Sequence, residues 1–223
     1  MSSEVGMNQR ARSAEQKELR RQAVLEAAEA HFLEVGYEAF SMAQLARKAG
    51  LVKGTLYLYF KTREELFLTL YEQSLVRWSQ VFMGCLSKTL TSKAYAQALY
   101  TTAVADGTFV PLLIRLEHVI EHNVEVDRLI NSKRVFIDQV DAIAVPTSFS
   151  LNLGKAQAIE VVKTMGVLLI GATRTDQGPS LDGEELPEDV QELIATFSSE
   201  PLFIKNAVRI IEAIRAEAEA RTI

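Results

Sequence analysis

The chain has 223 residues, 48% of them hydrophobic and 24% charged, with a formal net charge of −5. That length suits one or two domains with a substantial core, and the acidic balance excludes a uniformly basic coat. A single cysteine, Cys85, excludes an intramolecular disulfide framework and reads as a packed small hydrophobe on a helix stripe.

No stretch reads as long and apolar enough to span a bilayer, and the polar N-terminus lacks a signal-peptide core. The expectation is a cytoplasmic protein without a membrane partner. The charge is unevenly spread. Residues 1–63 carry 10 basic and 7 acidic side chains, whereas residues 64–223 carry 14 basic and 22 acidic ones. A basic head on an acidic body fits recognition of a polyanion by the head alone.

Residues 1–13 read as a flexible basic and polar tail, with Arg10, Arg12, Lys17, Arg20 and Arg21 in it or just beyond. The first helix is expected from Ala14 to Val35, with Val24, Leu25, Ala28, Phe32 and Val35 facing inward and Gly36 ending it.

The segment from Phe40 to Leu66 carries the chemistry. Ser41 is an N-cap, and Met42, Leu45, Ala46 and Ala49 form an apolar stripe at helical spacing. Gly50 supplies the positive φ of a sharp turn, and Leu56 and Phe60 pack a second short helix back onto the first. The outward side of that second helix offers Lys53 and Lys61 to neutralise phosphates. Thr55, Tyr57 and Tyr59 offer hydroxyls, the first amides of the helix suit an anion, and Gly54 leaves room for close approach. This pattern predicts a helix-turn-helix that reads double-stranded DNA.

The stretch from Ala23 to Phe67, AVLEAAEAHFLEVGYEAFSMAQLARKAGLVKGTLYLYFKTREELF, resembles the TetR family of transcriptional regulators. The resemblance implies an all-α homodimer with a three-helix DNA-binding head, residues 14–62, joined to a larger helical ligand-binding and dimerisation body, residues 63–223. It also implies a repressor of a palindromic operator, released by a small-molecule effector. By the same resemblance Ser41, Lys53, Thr55, Tyr57, Tyr59 and Lys61 contact DNA, with Gln44 and Arg47 as additions, and a basic arm ahead of the head could reach an adjacent groove. Leu58 departs from the polar or aromatic residue common there, and suits at most a thymine-methyl contact.

A helix from Arg63 to about Leu86 connects head to body, with Leu66, Leu70, Trp78 and Val81 on one side. Further helices are expected near 92–105, 108–123, 125–144, 153–175, 187–197 and 200–220. Val145-Pro146-Thr147-Ser148 and the acidic loop Asp176–Glu185, with Gly178, Pro179 and Gly183, interrupt them. No segment shows sustained alternation, so no sheet is expected.

Residues 159–172 are apolar nearly all round and must be covered on every side. In the last helix, Phe203, Ala207, Ile210 and Ile214 form one stripe and Ile204, Val208 and Ile211 another. The expected dimer interface is Val162, Met165, Gly166 and Leu169 with Ile204, Val208 and Ile211, paired as an isologous four-helix seam. Candidates to line an effector pocket are Trp78, Phe82, Tyr95, Tyr100, Phe109, Arg115, His118 and Phe136, which points to a hydrophobic or amphipathic effector.

The run His118-Val-Ile-Glu121-His122 matches the H-x-x-E-H pattern of inverted zinc peptidases. On a helix both histidines and both glutamates, Glu117 and Glu121, fall outside the apolar face of Leu112, Leu116, Val119, Ile120 and Asn123, so a solvated polar face explains them without a metal. Zinc hydrolysis is the remote alternative. A body that binds a protein partner rather than a small ligand is the other. No phosphate loop, G-x-S-x-G or cysteine–histidine pair is present, so neither catalysis nor a cofactor is expected.

Overall fold

The computed structural model describes residues 2–86, 89–177 and 185–220, and no strand occurs among them. The side chains of residues 2–13, with Arg10 and Arg12, lie outside the described set, as do Gly178, Pro179 and Gly183 of the expected acidic loop.

Helix α1 runs Ser2–Ala39. Its start lies well before Ala14, because the segment read as a tail contains no proline and many good helix formers. At Gly36 the backbone leaves the helix (φ 72°, ψ −178°), a conformation open to glycine alone, so the helical path breaks where expected. Val24, Leu25, Ala28 and Phe32 are buried.

Helix α2, Met42–Lys48, is capped by Ser41, whose hydroxyl accepts from the Ala43 amide at 3.3 Å. It closes on Gly50 at φ 65°, with the Leu51 amide donating to Ala46 and the Gly50 amide to Arg47. That pair of bonds is a Schellman motif and explains the glycine. Helix α3 spans only Lys53–Leu56; Tyr57 is its C-cap and Tyr59 lies in the following turn. Leu56 and Phe60 are buried beneath it.

Helix α4, Arg63–Cys85, starts from Thr62, whose hydroxyl accepts from Glu65 N, while Glu65 Oε2 accepts from the Lys61 amide at 2.8 Å. Its first turns pin the head. Phe67 is fully buried, with ring centroids 4.7 Å from Tyr37, 4.8 Å from Phe40 and 5.7 Å from Phe32. Further along, Phe82 faces the core, whereas Val81 is 59% exposed and Cys85 is exposed. The inward stripe drifts by one residue over this length, which corrects the expected placement of both Val81 and Cys85.

The body adds α5 (Ser92–Ala105), α6 (Phe109–Leu113), α7 (Val126–Leu151), α8 (Lys155–Arg174), α9 (Glu188–Thr196) and α10 (Ser199–Ala220). Residues 108–123 are not one helix: α6 gives way to a π turn at Leu116–Ile120 and a 3-10 turn at Glu121–Asn123. Pro146 does not end α7. It stands inside the helix, and the carbonyl it leaves without a donor belongs to exposed Ala142. Beyond it the helix is held by tertiary bonds: Thr147 with Tyr95, Ser150 Oγ to the Leu86 carbonyl, and Leu90 N to the Ser150 carbonyl. It ends at Asn152, in the left-handed region at φ 52°.

Helix α8 packs between α7 and α10. By length and composition it could cross a membrane, contrary to expectation, but Ala158, Val161, Met165, Leu169 and Ala172 bury one face of it inside the chain. The inner stripe of α10 is Phe203, Ala207, Ile211 and Ile214, so Ile211 rather than Ile210 faces the core.

Candidate nucleic-acid interface and effector cleft

The expected DNA contacts lie in or beside α2 and α3. Gln44, Arg47, Lys53, Gly54, Tyr57 and Lys61 are exposed, and Ser41, Thr55 and Tyr59 are half-buried. Beneath them Leu45, Ala46, Leu56 and Phe60 are buried, which fixes the angle between the two helices. A four-residue helix has little dipole, so phosphate attraction here rests on side chains rather than on the helix start. Lys48 is committed to Glu34 and adds no free charge, and its hydrogen bond lowers the Glu34 pKa. Sequence reasoning passed over Val52, which is 77% exposed beside Lys53; Leu58, in the turn after α3, is 75% exposed. The signal was a branched apolar residue in the turn that belongs to no stripe.

Lys61 has two allegiances. Its ammonium bonds both oxygens of Glu125, at the start of α7, at 2.8 Å, and this raises the Lys61 pKa. Thr62 Oγ1 also donates to the Asn123 carbonyl at 3.4 Å. A phosphate would compete with Glu125 for Lys61. Glu125→Gln is therefore expected to tighten DNA binding a few-fold at low salt and to steepen the salt dependence by up to about one counterion. Both partners are exposed, so thermal stability should barely move. Anisotropy titrations of the two proteins at several salt concentrations check this.

The same junction uses Arg115. Its guanidinium lies 5.1 Å from the Tyr37 ring, which Arg63 also approaches at 4.9 Å, and 3.5 Å from Glu38. It ties body to head and is not among the residues that line the two clefts of the body. Arg128 adds a further brace, donating to both Glu72 oxygens at 2.6 and 2.5 Å.

Within the body, a narrow cleft of about 60 Å³ opens between α4, α5, α6, α7 and α8. Five of the expected residues line it: Trp78, Phe82, Tyr95, Phe109 and Phe136. Tyr100 does not; its hydroxyl bonds Ser199 and its ring lies against Phe203. His118 does not either, since it is exposed on the π turn. Tyr71, Gln139 and Lys163, which sequence reasoning missed, do line it. An outer cleft shares Tyr71, Leu113, Phe136, Lys163 and Gly166 with the inner one and adds Glu117, Glu121 and Lys133.

The H-x-x-E-H run is dispersed by the irregular backbone. His122 Nδ1 sits 2.7 Å from the Glu117 carbonyl and Glu121 is 2.6 Å from Lys133. Among the described residues no group of three histidines, cysteines or acids could hold a metal. The expected dimer residues divide. Met165, Leu169 and Ile211 are buried within the chain and pack its core, where α8 lies against α7 and α10, and α10 against α8 and α5. Val162 and Gly166 line the cleft, while Ile204 and Val208 are half-buried.

Two sequence profiles match the chain. One, described as bacterial regulatory proteins of the tetR family, covers residues 24–70; the other, described as a tetracyclin repressor-like C-terminal domain, covers residues 72–179. The chain belongs to the TetR family. Among curated proteins it is similar to an uncharacterized HTH-type transcriptional regulator, YhgD, of Bacillus subtilis, 46% identical over 48 residues, which is 22% of this chain and 25% of that one. It is also similar to the fatty acid metabolism regulator protein of the same organism, 33% identical over 52 residues, 23% of this chain and 27% of that one. The matches thus span about a quarter of either relative's length. A TetR transcriptional regulator from Rhodococcus sp. RHA1 superposes with a TM-score of 0.56 at 14% identity, over 89% of this chain and 97% of that one, which shows the fold alone. This TetR-family chain is a helix-turn-helix transcriptional regulator.

Proposed function

We propose that the protein is a repressor that binds a palindromic operator as a homodimer and is released by a small hydrophobic or amphipathic effector. One observation carries this reading: α4 begins at the head and supplies Tyr71, Trp78 and Phe82 to the cleft. A helix of 23 residues extends about 34 Å, so a shift at the cleft wall is delivered to the base of the head. Two heads set about 34–36 Å apart would meet successive major-groove faces, and a change in that spacing weakens the fit. The effector moves the equilibrium only as far as it binds the wider-spaced state more tightly.

The test is titration of the full protein against its own upstream DNA and an unrelated fragment, by fluorescence anisotropy at several salt concentrations. Selective binding that falls steeply with salt is expected. Lys53→Ala should weaken binding to both fragments and reduce the salt slope by about one, with the oligomeric state unchanged. Equal, salt-insensitive binding to both fragments would remove the operator reading.

A further inference from the structure

The wall of the inner cleft is a stack of rings. Trp78 lies 4.7 Å from Phe109 and 5.5 Å from Phe82, and Tyr71 lies 6.1 Å from Phe109 on the other side. All three pairs are near-parallel. The polar atoms beside the stack are mostly engaged: Trp78 Nε1 donates to Thr102, the Tyr95 hydroxyl is bonded to Thr147, and Gln139 is held by Ser79.

Two polar groups are not engaged. The Tyr71 hydroxyl, on a side chain 2% exposed, has no hydrogen-bond partner. Lys163 forms no ion pair among the described residues. Both stand in the wall that the inner and outer clefts share. A buried hydroxyl forfeits its bonds to water and normally regains one inside the protein. Burial, with smaller contributions from Glu121, Glu72 and Glu117, pushes the Tyr71 pKa up, so the phenol keeps its proton and can donate.

A phenol and an ammonium that line the same two clefts call for an acceptor with negative charge. The outer cleft limits how much. Glu117 and Glu121 line it, and only Glu121 is neutralised, by Lys133. A remaining carboxylate at the entrance opposes a doubly charged head more strongly than a singly charged one.

We propose that the cleft binds a slim apolar monocarboxylate, its chain along the Phe82–Trp78–Phe109 stack and its carboxylate accepting from Tyr71 Oη and Lys163 Nζ. This deepens the effector reading above and rests on it.

Trp78 is the only tryptophan, so its emission reports the cleft directly. The full protein is titrated with decanoate, decanol, decyl phosphate and decyltrimethylammonium, all below micelle formation. Decanoate should bind about tenfold tighter than decanol, as a charge-assisted hydrogen bond warrants, with decyl phosphate weaker than decanoate and the ammonium weakest. Tyr71→Phe and Lys163→Met should each remove most of the decanoate advantage and leave decanol binding within about twofold. Tyr71→Phe should fold normally, since it deletes an unpartnered group. Decanol binding as tightly as decanoate, or the ammonium binding best, overturns the carboxylate and leaves the cleft as an effector site. No response to any of the four overturns both, and the operator titration still decides whether the protein binds its own upstream DNA selectively.

Discussion

Phe67→Ala is expected to cost about 3–5 kcal/mol, the range for truncating a buried aromatic, and to abolish DNA binding. Phe67 is 0% exposed and touches rings from both sides of the Gly36 break, Phe32 before it and Tyr37 and Phe40 after it. Arg63, 5.6 Å from the same ring, would lose part of its seat as well. The cavity would lie where α4 meets the head, so the head should loosen first. Denaturation followed by circular dichroism and by Trp78 emission separates the two regions, because Trp78 sits in the body. The mutant should show a helical loss at low denaturant that the tryptophan does not see. Coincident transitions with wild-type operator affinity would mean that the head is held by other contacts.

That cluster was only partly legible in the sequence. The turn of the helix-turn-helix could be read because its causes are local: Ser41, Ala46 and Gly50 act within a few residues of themselves. Phe32 could be placed from its stripe, but its pairing with Phe67 is a contact across the fold. His31 shows the same limit. It is 2% exposed, with neither ring nitrogen hydrogen-bonded and the nearest carboxylate, Glu34, 3.9 Å away, and nothing in its neighbours announced it. Pro146 read as a break because proline removes a donor; the helix continues because Leu86, Leu90 and Tyr95 supply partners that only the folded chain brings near. In the cleft, large rings on inner stripes were found and Lys163 was not, since an exposed lysine on α8 looks like any solvated one until the cavity beside it is seen.

The dimer seam is where the structure moves the sequence reading furthest. Helix α8 is apolar nearly all round, and three of its faces are now accounted for. Met165 and Leu169 fill the core, Val162 and Gly166 border the cleft, and Leu168 packs partly against the core cluster. The outward face remains: Val167, 72% exposed, stands at the rim of the outer cleft, with exposed Gly171 one turn on. A branched apolar residue above a glycine allows close approach of a second helix, whereas Ile204 and Val208 on α10 line a separate groove with Lys93 and Gln97. Val167→Glu is therefore expected to give monomers by size-exclusion with light scattering, since an unpaired carboxylate would be buried at the seam. Each monomer would present one head, and loss of the second should lower operator affinity by about a hundredfold or more while leaving the residual salt-dependent binding of a single head. Val167→Ala should remain a dimer. If the glutamate variant stays dimeric and binds operator as the parent does, the seam lies off the outer face of α8, and α10 with its half-buried Val208 becomes the surface to substitute next.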